Sequence, residues 1–327
     1  MNATMQAMVQ TKQGSADYLQ LKRVTRPVLK ADEVLIKVHA TAVTPMGYRI
    51  RSGNRGRNAP LWPITRFMMG RKPSQTILEG EVSGEIVEAG KNITKFKKGD
   101  KIFGLALASY AEYTLCSEKS KIQIMPPNIS FEEGASIAFG GLTSLYFLRT
   151  RGNIQSGQKV LIYGASGGVG VFAVQIAKLF GAEVTGVCSS KNFDLVRSLG
   201  ADRVIDYKKE DFRKENNQHY DIIFDTVGKL SFGSCKKVLA KTATFLETVP
   251  SYRFLLRVVW SSIIGKRKVV IGVGGTMADL EYLKEQIESG KLKIVIDRTY
   301  SLEQAVEAHR YVEQGHKVGS VVLKVST

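Results

Sequence analysis

The chain has 327 residues, of which 43% are hydrophobic and 24% are charged. These are the proportions of a globular protein of about two domains. The formal net charge of +17 favours anionic partners, but it does not choose among cofactor phosphates, acidic substrates, nucleic acid and an acidic lipid surface. The three cysteines, Cys116, Cys188 and Cys235, have no CxxC or Cys/His spacing, which argues against a disulfide scaffold or a structural zinc site and predicts small core residues.

No segment of the sequence resembles a targeting signal or a membrane span. Met1 to Gly14 has no basic stretch followed by an apolar run, unlike a secretory signal. The apolar stretch Phe254 to Gly265 contains Arg257 and is shorter than the roughly 20 residues of a span. We therefore expect a cytoplasmic location and no transmembrane helix.

The first part of the chain is predicted to be rich in β-strands. Val34 to Ala40 alternates apolar and polar residues, and Gly80 to Ala89 carries glycines at positions typical of bent strands. A turn at Gly99 to Lys101 precedes the strand Ile102 to Leu105. Short strands separated by turns at this spacing predict a small, partly closed β-barrel.

A basic segment interrupts this region. Between Val34 and Leu78 there is no acidic residue. The basic residues that accumulate there include Arg49, Arg51, Arg55, Arg57, Arg66, Arg71 and Lys72. We predict a basic, loop-like patch.

The second part of the chain is predicted to alternate strands and helices. Ser130 with Glu133 forms a capping-box pattern that indicates the first helix. The predicted elements that follow are strand Lys159–Tyr163, helix Val169–Phe180, strand Glu183–Cys188, helix Phe193–Leu199, and strands Arg203–Ile205, Asp221–Asp225 and Thr244–Leu246. Such β-α-β units specify a parallel, doubly wound, Rossmann-like sheet.

The last stretch is predicted to return to the first domain. It contains the predicted helices Met277–Ser289 and Leu302–Val312 and a closing strand, Ser320–Val325. The expected division is a catalytic domain over residues 1–125, a nucleotide-binding domain over 126–272 and the return to the catalytic domain over 273–327.

The residues Tyr163 to Gly170 form a glycine-rich motif between a strand and a helix. As A-x-G-x-x-G it departs from G-x-G-x-x-G only at Ala165. Gly167 lets the backbone approach a pyrophosphate, Gly170 allows close packing of helix on strand, and the N–H groups of the helix N-terminus attract the anion. A tight turn without a ligand is the alternative, but the order strand, turn, helix, strand favours dinucleotide binding.

The end of the second strand of this unit distinguishes NAD from NADP. An acidic residue at this position hydrogen-bonds the adenosine ribose of NAD, but the chain has Ser189, Ser190 and Lys191 there. Hydroxyls and a lysine can donate to a 2′-phosphate. The sequence therefore predicts NADPH as the cofactor, with a solvated surface role for Lys191 as the alternative.

Several segments together resemble the medium-chain dehydrogenase/reductase superfamily. They are Gly140–Thr143, Leu161–Gly170, Gln175–Lys178, Ser198–Asp202 and Ile205–Tyr207. More specifically, they resemble the zinc-free, zeta-crystallin-like quinone oxidoreductase branch, whose Asn-Pro-x-Asp-x-x-x-Arg-x-Gly segment is similar to Thr44–Gly53.

The resemblance implies a GroES-like barrel domain, a Rossmann domain and a cofactor in the cleft between them, commonly in a homodimer. It places Thr143 near the nicotinamide ribose and Val227 with Gly228 along the cofactor. The loop residues implied near the pyrophosphate are Ser166, Gly167, Gly168 and Val169. Those implied at the 2′-phosphate are Ser190, Lys191 and Tyr207. Ala165 and Ser189, beside these two sets, are also predicted to bind the cofactor.

Two departures from the family concern the active site. Thr44 and Gly47 replace the asparagine and aspartate that the branch often carries. A hydroxyl of Tyr48 or Thr44 is expected to polarise the acceptor carbonyl or relay a proton, with simple packing of Tyr48 in the cleft as the alternative.

The second departure concerns zinc. The metal-binding alcohol dehydrogenases have a cysteine near Thr44 and a Gly-His-Glu segment, where this chain has Leu78-Glu79-Gly80-Glu81. His39, His219, His309 and His316 show no ligand spacing. We therefore predict a metal-free site. Without a Lewis acid, reduction of a quinone, enone or similar activated carbonyl is favoured over alcohol oxidation.

Two apolar and basic stretches, Pro60–Met69 and Tyr252–Lys268, are expected to face each other across the cleft. They predict a hydrophobic pocket with a cationic rim that accepts a lipid-derived enone or quinone; a covered subunit interface is the alternative.

Three further alternatives stay open at this point. One is an NADPH-binding regulatory or RNA-binding protein, although no nucleic-acid motif supports it and no DNA partner is expected. The second is a zinc alcohol dehydrogenase, and the third a peripheral contact with an acidic membrane.

Overall fold

The computed structural model describes residues 3–53, 76–215, 218–248 and 274–325, together with the backbone of residues 268–270. The strands within them are β1 (Thr4–Gln10), β2 (Leu19–Thr25), β3 (Glu33–Ala42), β4 (Thr76–Ile77), β5 (Gly80–Ala89), β6 (Lys101–Ala106), β7 (Tyr113–Ser117), β8 (Ile122–Ile124), β9 (Lys159–Tyr163), β10 (Glu183–Cys188), β11 (Arg203–Asp206), β12 (Tyr220–Asp225), β13 (Leu239–Glu247), β14 (Lys268–Val270), β15 (Ile296–Ser301) and β16 (Ser320–Lys324). The α-helices are α1 (Pro45–Ser52), α2 (Phe131–Gly134), α3 (Ala138–Leu145), α4 (Gly170–Leu179), α5 (Phe193–Ser198), α6 (Phe232–Cys235), α7 (Met277–Glu288) and α8 (Ala305–Glu313).

The first region of the chain forms antiparallel sheets. One sheet has the order β15-β16-β3-β5-β6-β8, with β7 also paired to β3, and a smaller one has the order β2-β1-β4. Successive side chains of β3 point to opposite faces of the sheet, so Val34, Ile36 and Val38 lie on one face and form part of a buried cluster. Gly84 on β5 is required, because a Cβ there would overlap the carbonyl oxygen of Lys37 on the paired strand. The predicted GroES-like, strand-rich region is confirmed.

The second region is a parallel sheet with the order β11-β10-β9-β12-β13-β14. The predicted strands Lys159–Tyr163 and Glu183–Cys188 have these bounds in the structure, whereas the strand predicted at Thr244–Leu246 is longer and spans β13. Apolar side chains cover both faces of the sheet, as expected of parallel strands with helical crossovers. The predicted Rossmann-like sheet is confirmed.

The chain returns to the antiparallel sheet near its end, where β16 pairs with β3 and β15 pairs with β16. Helix α7 precedes β15 and contacts both regions. Its Leu280 and Leu283 pack with Leu142 and Phe172 in the cluster that covers the parallel sheet, and Gln123 on β8 donates to its Glu281. The boundary at residue 273 stays a prediction.

The predicted basic loop is wrong for its first part, which forms helix α1. Thr44 caps the helix by accepting the N–H of Gly47, Pro45 occupies the first turn, and Gly53 ends it with φ of +71°. Arg51 is 1% exposed rather than solvated. Residues 54–75, with Arg55, Arg57, Arg66, Arg71 and Lys72, lie outside the described residues, as does the predicted stretch Pro60–Met69.

Arg51 joins α1 to α8 through a buried polar network. Its guanidinium forms an ion pair with Glu313, its Nε donates to His309 Nδ1 at 3.3 Å, and another N–H donates to the carbonyl of Gly14. His309 is fully buried, and burial with the charge of Arg51 lowers its pKa to about 3. This network fixes α1 against the last helix.

Two further predictions can be compared with the described residues. All three cysteines are buried free thiols, so their predicted role as core residues is confirmed. Among the helices that the structure describes, none is long and apolar enough to cross a membrane.

Candidate cofactor cleft and active site

The glycine-rich loop connects the carboxyl end of β9 to α4. Gly164 has φ of +84°, and a Cβ there would overlap Val227. A Cβ on Gly170 would overlap the carbonyl oxygen of Gly164, so the helix packs against the loop in a way that only glycine permits. Within the described residues, no side chain caps the N-terminus of α4. Its N–H groups therefore fit the pyrophosphate of a dinucleotide.

Helix α3 brings Thr143 to this loop. A Cβ on Gly140 would overlap the carbonyl oxygen of Gly168, so the helix and the loop touch through their backbones. Ser144 Oγ lies 2.8 Å from both Gly140 O and Val169 O and can donate to either. Thr143 is half-buried and precedes Ser144, the residue through which this helix contacts the loop.

The end of β10 presents the residues predicted at the 2′-phosphate. Ser190 and Lys191 are exposed, and Asn192 Nδ2 donates to Ser166 Oγ at 3.0 Å, which joins this turn to the glycine-rich loop. Tyr207, one residue beyond β11, is 43% exposed. These side chains therefore lie at one end of the cleft, with Ser189 half-buried behind them.

Asp206 lies at the same end and was missed by the sequence argument. It pairs in register with Cys188, so its carboxylate stands one strand away from Ser189. The N–H of Lys208, 2.9 Å from Oδ1, and the hydroxyl of Ser190 hold its pKa below the usual range. Asp206 belongs to the segment Ile205–Tyr207, which resembles the family. Sequence spacing does not show which strands are neighbours, so the position of Asp206 beside Ser189 could not be predicted.

Asp225, at the end of β12, orients the loop that carries Val227 and Gly228. Its carboxylate accepts the N–H groups of both residues at 2.9 Å and that of Leu230 at 2.7 Å. The hydroxyl of Thr226 donates to Tyr163 O at 2.8 Å, which ties this loop to the end of β9. The structure therefore brings Val227 and Gly228 next to the glycine-rich loop.

The segment before β16 approaches the glycine-rich loop from the antiparallel sheet. The N–H of Gly319 donates to Ser166 O at 2.9 Å, and Gly319 forms a parallel bridge with Gly167. The ammonium of Lys317 donates to Gly319 O and lies beside Gly168, where it would be 2.8 Å from an added Cβ. The segment that leads into the antiparallel sheet thus places the positive charge of Lys317 beside the glycine-rich loop.

Glu81 on β5 is a buried acidic residue that interacts electrostatically with Lys317. It is fully buried, and its Oε1 accepts the N–H of Phe139 at 2.8 Å. Burial raises the pKa of Glu81 to about 7, against the opposing effects of that N–H and of Lys317. Burial likewise lowers the pKa of Lys317 to about 8, opposed by Glu81 and Asp297. Sequence reasoning missed this pair because its members are far apart along the chain.

The two predicted catalytic hydroxyls occupy different settings. Thr44 Oγ1 accepts the N–H of Gly47 at 3.0 Å as the cap of α1. Tyr48 packs against the apolar cluster that includes Leu78 and Tyr110. A cavity of about 190 Å³ opens beside the same helix. Its lining consists of Gly47, Ile50, Thr76, Ile77, Leu78, Glu79 and Leu107. A catalytic role for Tyr48 or Thr44 stays a prediction.

A zinc ion does not fit the donor atoms around Glu81. The described residues contain no group of three or more His, Cys, Asp or Glu side chains that could hold a metal. The resemblance to the metal-binding alcohol dehydrogenases implies a cysteine near the position of Thr44 and a histidine at the position of Gly80. No catalytic step is therefore assigned to a metal.

The fold and the cleft define a two-domain, nucleotide-dependent dehydrogenase or reductase. A family model described as an alcohol dehydrogenase GroES-like domain matches residues 30–153, and one described as a zinc-binding dehydrogenase matches residues 199–323. A chloroplastic quinone-oxidoreductase of Triphysaria versicolor is 34% identical over 95% of each chain. A 2-methylene-furan-3-one reductase of Solanum lycopersicum is 32% identical over 98% of this chain and 79% of its own.

A solved structure gives the same result. The quinone oxidoreductase from Coxiella burnetii superposes with a TM-score of 0.85 at 29% identity, covering 99% of this chain and 100% of its own. The chain therefore belongs to the medium-chain dehydrogenase/reductase superfamily, in its quinone oxidoreductase branch. It is an oxidoreductase that uses a nicotinamide cofactor.

Proposed function

We propose that this protein is an NADPH-dependent, metal-independent reductase of quinones, enones or similar activated carbonyl compounds. The observation that carries the proposal is the turn after β10. It contacts the glycine-rich loop through Asn192 and Ser166, and it exposes Ser190 and Lys191 where an NAD-binding unit has an acidic residue. The names of the two relatives and of the solved structure support the acceptor class.

The cofactor would be held by groups from both sheets. The N–H groups at the start of α4, which no described side chain caps, and the ammonium of Lys317 beside Gly168 would bind the pyrophosphate. Lys191 and Tyr207 would hold the 2′-phosphate. The hydroxyl of Ser190 interacts with Asp206 and is therefore less available to the cofactor. Lys191 would supply the positive charge that stabilises a 2′-phosphate.

NADPH, when bound, supplies a hydride. The residues of the chain then have three tasks, namely to orient the nicotinamide, to exclude water and to stabilise the charge that develops on the acceptor. Thr143 and Val227 are proposed to orient the nicotinamide half. A quinone or enone accepts hydride without a Lewis acid, which is consistent with a donor set that does not fit zinc.

The test is to follow oxidation of NADPH and NADH with quinones and enones, with and without a metal chelator. We expect chelator-resistant turnover with a preference for NADPH. The variant Lys191→Ala should raise the KM for NADPH about tenfold, the effect of one charge-assisted hydrogen bond, and leave the KM for NADH unchanged. A matched control is Lys98→Ala, an exposed lysine in the turn before β6.

Each part of the proposal would be contradicted by a different result. Chelator-sensitive oxidation of alcohols would contradict the metal-free assignment. Equal turnover of both cofactors, unaffected by Lys191→Ala, would contradict the assignment of NADPH. Tight cofactor binding without turnover of any acceptor would favour a regulatory protein.

A further inference from the structure

Two buried carboxyl groups stand side by side at the carboxyl edge of the parallel sheet. Asp225 ends β12 and Glu247 ends β13, and the two are register partners on neighbouring strands. Their exposed fractions are 0% and 4%. Two adjacent buried carboxylates cannot both ionise without a large electrostatic cost. One of them is therefore expected to keep a proton at neutral pH.

The hydrogen bonds of Asp225 and Glu247 indicate which of the two carboxyl groups keeps the proton. Burial raises the pKa of Asp225 as well. Asp225, however, accepts three backbone N–H groups from the loop that follows β12, and these bonds oppose that rise because they favour the ionised form. Within the described residues, no hydrogen bond reaches the carboxyl of Glu247, and Asp225 is the one charged group that acts on it. Burial, and then the charge of Asp225, raise the pKa of Glu247 to about 8. The proton of the pair accordingly belongs to Glu247.

Among the described residues, the charged groups on the elements around Glu247 do not change this distribution. Lys241 begins on the same strand but at its opposite end, and Tyr163 on β9 faces Asp225. β14, on the other side of β13, is described by its backbone alone. Glu247 is thus a neutral carboxylic acid beside an anion that the backbone stabilises.

The position of Glu247 in the sheet indicates which part of the cofactor it meets. A dinucleotide lies across the carboxyl ends of a doubly wound sheet, with its adenosine ribose at the second strand of the motif, here β10. β12 and β13 lie on the other side of β9. With about 4.8 Å between strands, Glu247 stands roughly 10 Å from the end of β9. The nicotinamide half is therefore the nearest part of the cofactor.

We propose that Glu247 is the proton reservoir at the nicotinamide end of the cleft, which supplies a proton to the reduced acceptor. This inference rests on the proposed reductase function. An acceptor that has taken a hydride is an anion and needs one proton. The O–H bond of Glu247 breaks, its proton forms a new bond to the acceptor, and the carboxylate that remains faces the positive charge of the oxidised nicotinamide. Water restores the proton after product release.

The direct test is a binding measurement. Ionised Glu247 stabilises NADP⁺, whose nicotinamide is positive, but gives no such advantage to NADPH. As the pH rises from about 6 to about 9, the affinity for NADP⁺ relative to NADPH should increase about tenfold, as expected for a coupling of one pKa unit. The ratio cancels effects that both cofactors share, including titration of the 2′-phosphate and of Lys317.

The variant Glu247→Gln should remove this pH dependence, since an amide of the same shape cannot ionise. The matched control is Glu183→Gln, an exposed carboxylate at the opposite edge of the same sheet, which should keep the wild-type ratio. An unchanged pH dependence in Glu247→Gln would overturn the proposal.

The wild-type protein allows the same test without a variant. Calorimetry in two buffers of different ionisation enthalpy measures protons released on binding near neutral pH. We expect release with NADP⁺ and not with NADPH, and equal release with both would overturn the assignment.

Turnover separates this inference from the proposed function. Glu247→Gln should lower kcat roughly 100-fold, the lower end of general acid catalysis, while KM for NADPH changes less than about threefold. Wild-type kcat should fall above about pH 8, and the variant should lack that decline. If the wild type turns over and the variant matches it, Glu247 is not the acid. If the wild type reduces no acceptor, the proposed function fails while proton-linked binding is still measured.

Discussion

The cofactor half and the acceptor half of the cleft are built differently. The glycine-rich loop is held by backbone contacts, such as the close approach of Gly140 to Gly168 and the bridge from Gly167 to Gly319. The proposed acceptor side depends on side chains of α1, which a buried network around Arg51 fixes to the last helix. A loop held by backbone contacts requires glycines at fixed spacing, which can be recognised in the sequence. A network of side chains distant in the sequence leaves no such pattern.

The largest expected effect comes from Gly170→Ala. Its Cβ would overlap Gly164 O, so the cofactor-free protein should lose roughly 3 kcal/mol or more of unfolding free energy. Gly167→Ala is the matched control, because its Cβ would lie 3.4 Å from Gly164 O. That variant should keep its stability and lose NADPH affinity. Chemical denaturation separates the two, and equal stability of both variants would contradict the packing argument.

On the acceptor side, Arg51→Met should lower the unfolding free energy by about 2–3 kcal/mol. It removes a fully buried guanidinium and leaves His309 and Glu313 without their partner. The matched control is Arg49→Met, two residues earlier on the same helix. The guanidinium of Arg49 lies over the Tyr48 ring, and its loss should cost less than about 0.5 kcal/mol. Comparable losses in both variants would show that the network does not stabilise α1.

His309 adds a pH dependence to that network. Its pKa is lowered to about 3 in the folded chain, against about 6.5 when unfolded. The unfolded state therefore binds more protons, and stability should fall as the pH decreases from about 6.5 towards 3. His309→Gln should flatten this part of the stability curve in thermal unfolding. A curve that keeps its wild-type slope in the variant would assign the acid sensitivity to other groups.

The smallest expected effect is that of Lys317→Met on the cofactor half. Loss of one ammonium beside the glycine-rich loop should weaken NADPH binding about tenfold. The control is Lys324→Met, whose ion pair with Glu132 lies at the far end of β16 and is half-exposed. Binding of 2′-AMP, which lacks the pyrophosphate, should be the same in both. An equal loss for 2′-AMP would place Lys317 elsewhere in the site.

Much of the parallel sheet was predictable because local signals agree there. The strand Lys159–Tyr163, the glycines and the apolar helix α4 follow each other within a short stretch. The basic segment was wrongly predicted as a loop up to Ser52, since its arginines mask the capping of α1 by Thr44 and Gly53. The pairs Glu81 with Lys317 and Asp225 with Glu247 were missed. Asp225 and Glu247 come together because their strands are neighbours in the sheet, and Glu81 and Lys317 come together through the fold of the antiparallel region. No rule of sequence spacing connects either pair.

The proposed function depends on the cleft between the two sheets binding NADPH in preference to NADH. Titration of the purified protein with both cofactors, followed by calorimetry, tests it most directly. We expect one site per chain and an affinity for NADPH at least about tenfold higher, the worth of one contact to the 2′-phosphate. Equal or tighter binding of NADH, or no binding of either cofactor, would contradict the claim.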